Sequence, residues 1–218
     1  DYQTLEQYLD FLEDNDLIFH CPDELIENFT DLSEEWDYPA KISNAIIEIS
    51  PENISQLIER NIFSQLNQLG CLNIEIRIFP SGASKLFYLS ILRQLIKFEF
   101  FSIDIGVELK ELLPDETIKS VVQLVNKVKT IKTLFLYNPI KNKEILSKNY
   151  GFGGVAYLKG SLNKQHCGMV HHSFFDINPQ VFSESQNFNT CLNRKISIDK
   201  NGEIRNCPSM SDSYGNIR

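Results

Sequence analysis

Residues 44–79 read NAIIEISPENISQLIERNIFSQLNQLGCLNIEIRIF, and this stretch decides the fold. Ala45 to Ile49 is an apolar run of strand length. Ser50 then supplies an N-cap and Pro51 the first helical position, where a missing N–H costs nothing and a fixed φ suits the helix. Ile54, Leu57, Ile58, Ile62, Leu66 and Leu69 fall on one face of a 3.6-residue period, and Gly70 stands where a helix end accepts a left-handed residue. Ile74 to Phe79 begins the next strand. The stretch is one strand–helix–strand unit.

The unit repeats outward. Leu86 to Ile96 has helical spacing, Ile103 to Leu109 is a strand, Pro114-Asp115-Glu116 opens a helix carrying Ile118, Val121, Val122 and Val125, and Leu134 to Tyr137 is a further strand. Strand starts near residues 45, 74, 103 and 134 match successive βα units with right-handed crossovers, which places the strands in one parallel sheet. A fifth strand, Val155 to Leu158, follows the Gly-rich turn GFGG at 151–154. The expected fold is α/β: a partial (β/α) barrel of parallel strands over residues 41–160, followed by a β-hairpin segment over 161–218. Charges interrupt the isoleucines at Glu48, at Glu75 and Arg77, and at Asp104 and Glu108, which buried parallel strands usually lack. With the isoleucines facing the helices, the charges face the opposite side. Two readings stay open there: structural ion pairs or rim residues, and a polar lumen that holds a ligand, for which Glu75, Arg77 and Asp104 are the candidates for chemistry.

Upstream, residues 1–40 form an acidic segment. Leu5, Tyr8, Leu9 and Leu12 predict an amphipathic helix over 4–14, stopped by Asp14-Asn15-Asp16, and a connector holding Trp36 follows. Residues 1–37 carry 13 Asp or Glu and no Lys or Arg, which leaves 16 acids against 21 bases in the remainder of a chain of net charge −8. That asymmetry argues against nucleic acid as a partner and permits a basic peptide, since surface charge steers association. Of 218 residues 42% are hydrophobic, ample for a core. No apolar run approaches the roughly 20 residues of a membrane span, and DYQTLEQYLD lacks the order of a signal peptide. A cytoplasmic protein without a membrane partner is expected. Because the chain opens inside a helical pattern and without Met, it is expected to be part of a longer protein.

Downstream, Arg194 to Asp199 and Glu203 to Asn206 alternate around Asp199-Lys200-Asn201-Gly202, the strongest short hairpin signal. Cys191 and Cys207 bracket this hairpin in the pattern C-x10-G-x4-C. A hairpin returns its ends to one place, so both thiolates can serve one metal. Iron–sulfur clusters and structural zinc usually take four ligands, so others are needed. Cys167 is the natural third, with His166 beside it in His166-Cys167-Gly168-Met169-Val170-His171-His172. Cys21 and Cys71 read as structural. Five cysteines in a chain without export signals do not suggest a disulfide framework. GFGG has no following helix to receive a phosphate, and neither a GKS/GKT phosphate loop nor a G-x-S-x-G elbow occurs.

CLNRKISIDKNGEIRNC resembles the first half of a SPASM domain. Together with YLDFLEDNDLIFH, NAIIEI, QLNQLGC and HCG, in that order, it is similar to the SPASM-domain peptide maturase of grasp-with-SPASM systems. The resemblance covers nearly the whole chain. It implies an auxiliary iron–sulfur cluster, of 4Fe-4S type, held through Cys191, Cys207 and Cys167, with zinc as the alternative occupant. It also implies partnership with an ATP-grasp ligase and a small precursor peptide in bacterial peptide maturation, and a winged-helix peptide-recognition module of which the 4–14 helix is the last element. The chain departs from the pattern where the radical chemistry resides. The loop after the first strand reads SPENIS in place of CxxxCxxC, and Ile78-Phe79-Pro80-Ser81-Gly82 replaces a Gly-Gly-Glu motif. Without three thiolates on one loop, cleavage of S-adenosylmethionine is not expected. A zinc-stabilised binding module, or an enzyme with its site in the polar lumen, are the other readings of the same residues.

Overall fold

The computed structural model describes residues 2–29, 39–80, 85–109, 128–137, 149–150, 153–158, 160–163 and 178–218. The chain divides into two compact units, Asp1–Trp36 and Asp37–Arg218.

In the first unit, α1 spans Tyr2–Asp14 and a 3-10 helix spans Asp23–Asn28. The acidic stop works through backbone geometry. Asp16 takes a left-handed φ of 56°, so Leu17 N–H reaches Leu12 O at 2.9 Å and Asp16 N–H reaches Glu13 O at 3.0 Å, the paired bonds that satisfy the last carbonyls of a helix. No residue of α1 is buried, and Leu5, Tyr8 and Leu9 of its apolar stripe are exposed.

The second unit is built on one sheet. Its described strands are β1 (Asn44–Ile49), β2 (Asn73–Ile78), β3 (Ser102–Glu108), β4 (Ile131–Tyr137), β5 (Asn149–Tyr150), β6 (Gly153–Leu158), β7 (Lys195–Ile198), β8 (Glu203–Arg205) and β9 (Gly215–Asn216). They lie in the order β5-β6-β4-β3-β2-β1-β7-β8-β9. The run from β6 to β7 is parallel, and β5, β8 and β9 pair antiparallel. The fold is α/β, a partial (β/α) barrel that does not close, with the C-terminal hairpin continuing its sheet beyond β1.

The two strand faces separate as the alternation requires. Ala45, Ile47 and Ile49, Ile74, Ile76 and Ile78, and Ile103, Ile105 and Val107 join Leu134, Leu136, Val155 and Ile198 in one buried core. Against it pack α2 (Ile54–Glu59) and α3 (Ile62–Gln68) through Leu57, Phe63 and Leu66, and α4 (Lys85–Ile96) through Tyr88, Ile91 and Leu95. The intervening residues, Glu48, Glu75, Arg77, Asp104 and Glu108, lie on the opposite face.

Two local differences from the sequence pattern have clear causes. The helix expected over 54–69 is two helices, because Asn61 adopts a left-handed φ of 53° between them. The expected N-cap at Ser50 and first helical position at Pro51 are not observed: α2 starts at Ile54 without a side-chain cap, because Asn53 bonds back to the strand end, its Oδ1 accepting the Ser50 N–H at 2.8 Å and its Nδ2–H donating to Glu48 O at 2.9 Å. The far end closes as expected. Gly70 has φ +83°, and Cys71 N–H to Leu66 O and Gly70 N–H to Asn67 O, both 3.0 Å, complete the stop. Among the described residues one further helix, α5 (Pro179–Asn187), is not foreshadowed by the sequence pattern. Asn178 Oδ1 caps it by accepting from Gln180 and Val181 N–H at 3.1 Å each, with Pro at its first position. The helix expected from Pro114 lies outside the described residues.

Candidate functional site

The polar face of the sheet is a grid set by register. One row across the strands is Lys195, Asn44, Asn73 and Ser102; the next is Ser197, Ile46, Glu75, Asp104 and Thr133; a third pairs Glu48 with Arg77 and Gly106.

The third row is filled. Arg77 is 1% exposed; its Nε–H donates to Glu75 Oε1 at 2.7 Å and its Nη1–H to Asn163 O at 3.3 Å. Residues 160–163 therefore lie over the middle of the polar face, where Leu162 and Tyr137 also come close to Gly106. Glu48 is buried and accepts the Lys200 N–H, which ties the hairpin turn to β1. For Arg77 the structure realises the ion-pair alternative. The guanidinium locks Glu75 in place.

The first two rows remain open at the N-terminal ends of the strands. A cleft of about 310 Å³ is lined there by Asn44, Asn73, Glu75, Ser102, Asp104, Cys191 and Lys195, among others. Asp104 lies beside Glu75 in register. Burial pushes its carboxyl above the ordinary value, a hydrogen bond with Thr133 opposes this, and the neighbouring Glu75 charge adds to the rise. Of the three lumenal candidates, Glu75 and Asp104 thus share a cleft, and Arg77 sits behind them as the partner of Glu75.

The hairpin forms as expected. Asp199 Oδ1 accepts from Asn201 and Glu203 N–H, and Asp199 Oδ2 from Arg205 Nη1–H at 2.7 Å. Gly202 has φ +83°, and a Cβ there would come within 2.8 Å of Asn216 Oδ1. At its base, Asn206 Nδ2–H donates to Leu192 O at 3.2 Å and to Lys195 O at 3.3 Å. These bonds tie together the residues next to Cys191 and Cys207.

The two thiols differ. Cys191 is exposed and lines the cleft, whereas Cys207 is 4% exposed. Burial pushes the Cys207 thiol up, but hydrogen bonding with Ser209 and the nearby Lys195 and Arg77 cations outweigh it, so it lies below the ordinary thiol value. Lys195 is common to both, lining the cleft with Cys191 and acting on Cys207. A thiol drawn toward its thiolate form by cations is the kind that ligates metal. Cys71, by contrast, is buried with its thiol pushed up to about 11 by burial, as befits a core residue.

Cys167 and His166 lie outside the described residues. Among the described residues no three His, Cys, Asp or Glu are grouped to hold a metal ion, and Cys191 and Cys207 are free thiols. The loop after β1 holds no thiol, and Asn53 ties it to the strand end through the Ser50 N–H and Glu48 O. No described helix is long and apolar enough to cross a membrane. Comparison of the chain with protein-family models, with curated proteins and with solved structures gives no match.

Sequence reasoning missed the part of the site made by Asn44, Asn73, Ser102 and Lys195. Each is the first residue of its strand, and only parallel pairing of β7 with β1 puts Lys195 in their row.

Proposed function

We propose that this chain is a maturation protein for a ribosomally made peptide, acting in the bacterial cytoplasm with an ATP-grasp ligase and holding an iron–sulfur cluster through Cys191, Cys207 and Cys167. The observation that carries the reading is the cysteine-framed hairpin: Asn206 bonds Leu192 O and Lys195 O across its base beside the two cysteines, and hydrogen bonding with Ser209, aided by the Lys195 and Arg77 charges, draws Cys207 toward thiolate. The cysteine pattern and the parallel partial barrel support the peptide-maturation assignment. His166 is a further candidate ligand. The SPENIS loop, which holds no cysteine, supports a protein that does not cleave S-adenosylmethionine.

Anaerobic reconstitution of the full chain with iron and sulfide tests the reading. Broad visible absorption with stoichiometric iron and sulfide, lost in the Cys191→Ala/Cys207→Ala variant, is the expected result. A colourless protein that retains one zinc would overturn it in favour of a zinc-stabilised binding module. Co-purification with the ligase and precursor peptide tests the partners.

A further inference from the structure

The cleft at the N-terminal ends of β1, β2, β3 and β7 lies where open α/β sheets do not ordinarily bind ligands, since those sites form at carboxyl ends. Its lining is nevertheless ordered from one side to the other. On the β3 side are two carboxyls, each oriented from outside the cleft: Glu75 by the buried Arg77 at 2.7 Å, Asp104 by Thr133 on the adjoining strand. On the β7 side is the Lys195 ammonium. Between them stand the amides of Asn44 and Asn73 and the hydroxyl of Ser102. Ser102 Oγ–H donates to Asn73 Oδ1 at 2.7 Å, which leaves the Asn73 amide nitrogen to donate to a ligand.

The register fixes the span. Lys195 and the Asp104 strand are separated by the steps β7–β1, β1–β2 and β2–β3, about 14 Å at the spacing of neighbouring strands. An extended peptide advances about 3.3 Å per residue, so roughly four residues cover this distance. Amide and hydroxyl groups in the middle suit peptide bonds, and the opposed charges at the ends suit opposed charges on a ligand.

We propose that this cleft binds an extended peptide segment across the strand ends, with a basic side chain on Glu75 and Asp104 and an acidic group, about four residues away and so on the same face of the segment, on Lys195. The proposal deepens the peptide-maturation reading and rests on it for the peptide nature of the ligand. The carboxyl pair selects the cation, because a ligand ammonium or guanidinium relieves the mutual repulsion of Glu75 and Asp104. Lys195 receives the acidic end at the β7 side of the cleft, which Cys191 also lines, so the bound segment passes one of the proposed cluster ligands.

The test uses the full chain and two probes, acetyl-Lys-Ala-Ala-Ala-Glu-amide and acetyl-Leu-Ala-Ala-Ala-Glu-amide, with binding measured by calorimetry. Glu75 is left intact, because removing it breaks its ion pair with the buried Arg77. The lysine peptide is expected to bind at least tenfold tighter than the leucine peptide. Asp104→Asn is expected to shrink that preference, and Lys195→Glu to weaken both peptides, with folding of both variants checked by circular dichroism. Equal affinity of the two peptides for the unmodified protein, or an unchanged preference in folded Asp104→Asn, overturns the proposal. Cluster assembly without peptide discrimination would sink the cleft assignment and leave the maturation reading standing. Discrimination by a protein that assembles no cluster would support the cleft and count against the cluster.

Discussion

Arg77 donates its Nε–H to Glu75 Oε1 at 2.7 Å, from a side chain that is 1% exposed to one that is 33% exposed. The cation is therefore held under the polar face by a carboxylate that still reaches the cleft. Glu75→Gln keeps the shape and removes the charge. Breaking a fully buried pair costs about 3–5 kcal/mol. Partial exposure of Glu75, and Glu48 lying opposite Arg77 in the register, reduce the expected loss to about 2 kcal/mol. Urea denaturation measures it, and a loss below about 0.5 kcal/mol would show that other groups neutralise Arg77 without Glu75.

Asp104 gives a pH dependence of definite sign. Its folded carboxyl binds a proton more tightly than the unfolded one, through burial first and the Glu75 charge as well. Native protein then carries more protons than unfolded protein between the ordinary and the raised value, so this group's contribution to stability falls as pH rises through that window and stays low above it. Asp104→Asn removes the dependence. Relative to the unmodified protein, the variant should be more stable at neutral pH than at acid pH. Denaturation curves at pH 4 and pH 7 check this, and a pH-independent difference between the two proteins would contradict it.

Gly70 joins helix α3 to strand β2 under two constraints at once. Its φ is +83°, and a Cβ would stand 2.7 Å from the Ala40 Cβ. The left-handed backbone alone costs a non-glycine residue about 1–2 kcal/mol, and the contact with Ala40 requires the 39–43 segment to shift. Gly70→Ala is expected to destabilise by about 3 kcal/mol, read as a lower melting temperature. A change under about 1 kcal/mol would mean that the chain around Ala40 yields freely.

How far the sequence reveals this arrangement depends on the range of the interaction. Ile74, Ile76 and Ile78 alternating with Glu75 and Arg77 announce a strand with one apolar and one polar face, because a period of two is a local property. Helix α5 had a local signal too, Asn178-Pro179, but Gln, Ser and Asn dilute its apolar period, and Val181 and Phe182 are exposed. The left-handed Asn61 that divides α2 from α3 lies within an unbroken apolar period, so periodicity alone does not reveal it. The pairing of β7 with β1 has no local signal at all. Ser43 N–H meets Arg194 O at 2.8 Å across 151 positions of chain. Lys195 and Cys191 reach Glu75 and Asp104 only through that pairing, so the sequence pattern reveals the lumenal charges and conceals the cleft that uses them.

Asp199 is where the hairpin's stability and the proposed cluster position are most tightly joined. It is 3% exposed and accepts hydrogen bonds from Asn201 N–H at 2.8 Å, Glu203 N–H at 3.0 Å and Arg205 Nη1–H at 2.7 Å. The first two fix the turn, the third ties the turn to β8, and the adjacent Lys200 N–H bonds Glu48 on β1. Asp199→Ala removes these acceptor bonds and leaves Arg205 without its carboxylate, for an expected cost of about 3 kcal/mol. Asp199→Asn keeps an acceptor for the two backbone N–H groups and loses the charge, so about half that cost is expected. If the hairpin places Cys191 and Cys207 at one metal centre, iron retained after reconstitution should fall in the same order: unmodified protein, Asp199→Asn, Asp199→Ala. Denaturation together with iron analysis of the folded fraction tests both halves. Full iron retention in a destabilised but folded Asp199→Ala protein would show that the hairpin does not organise the metal site.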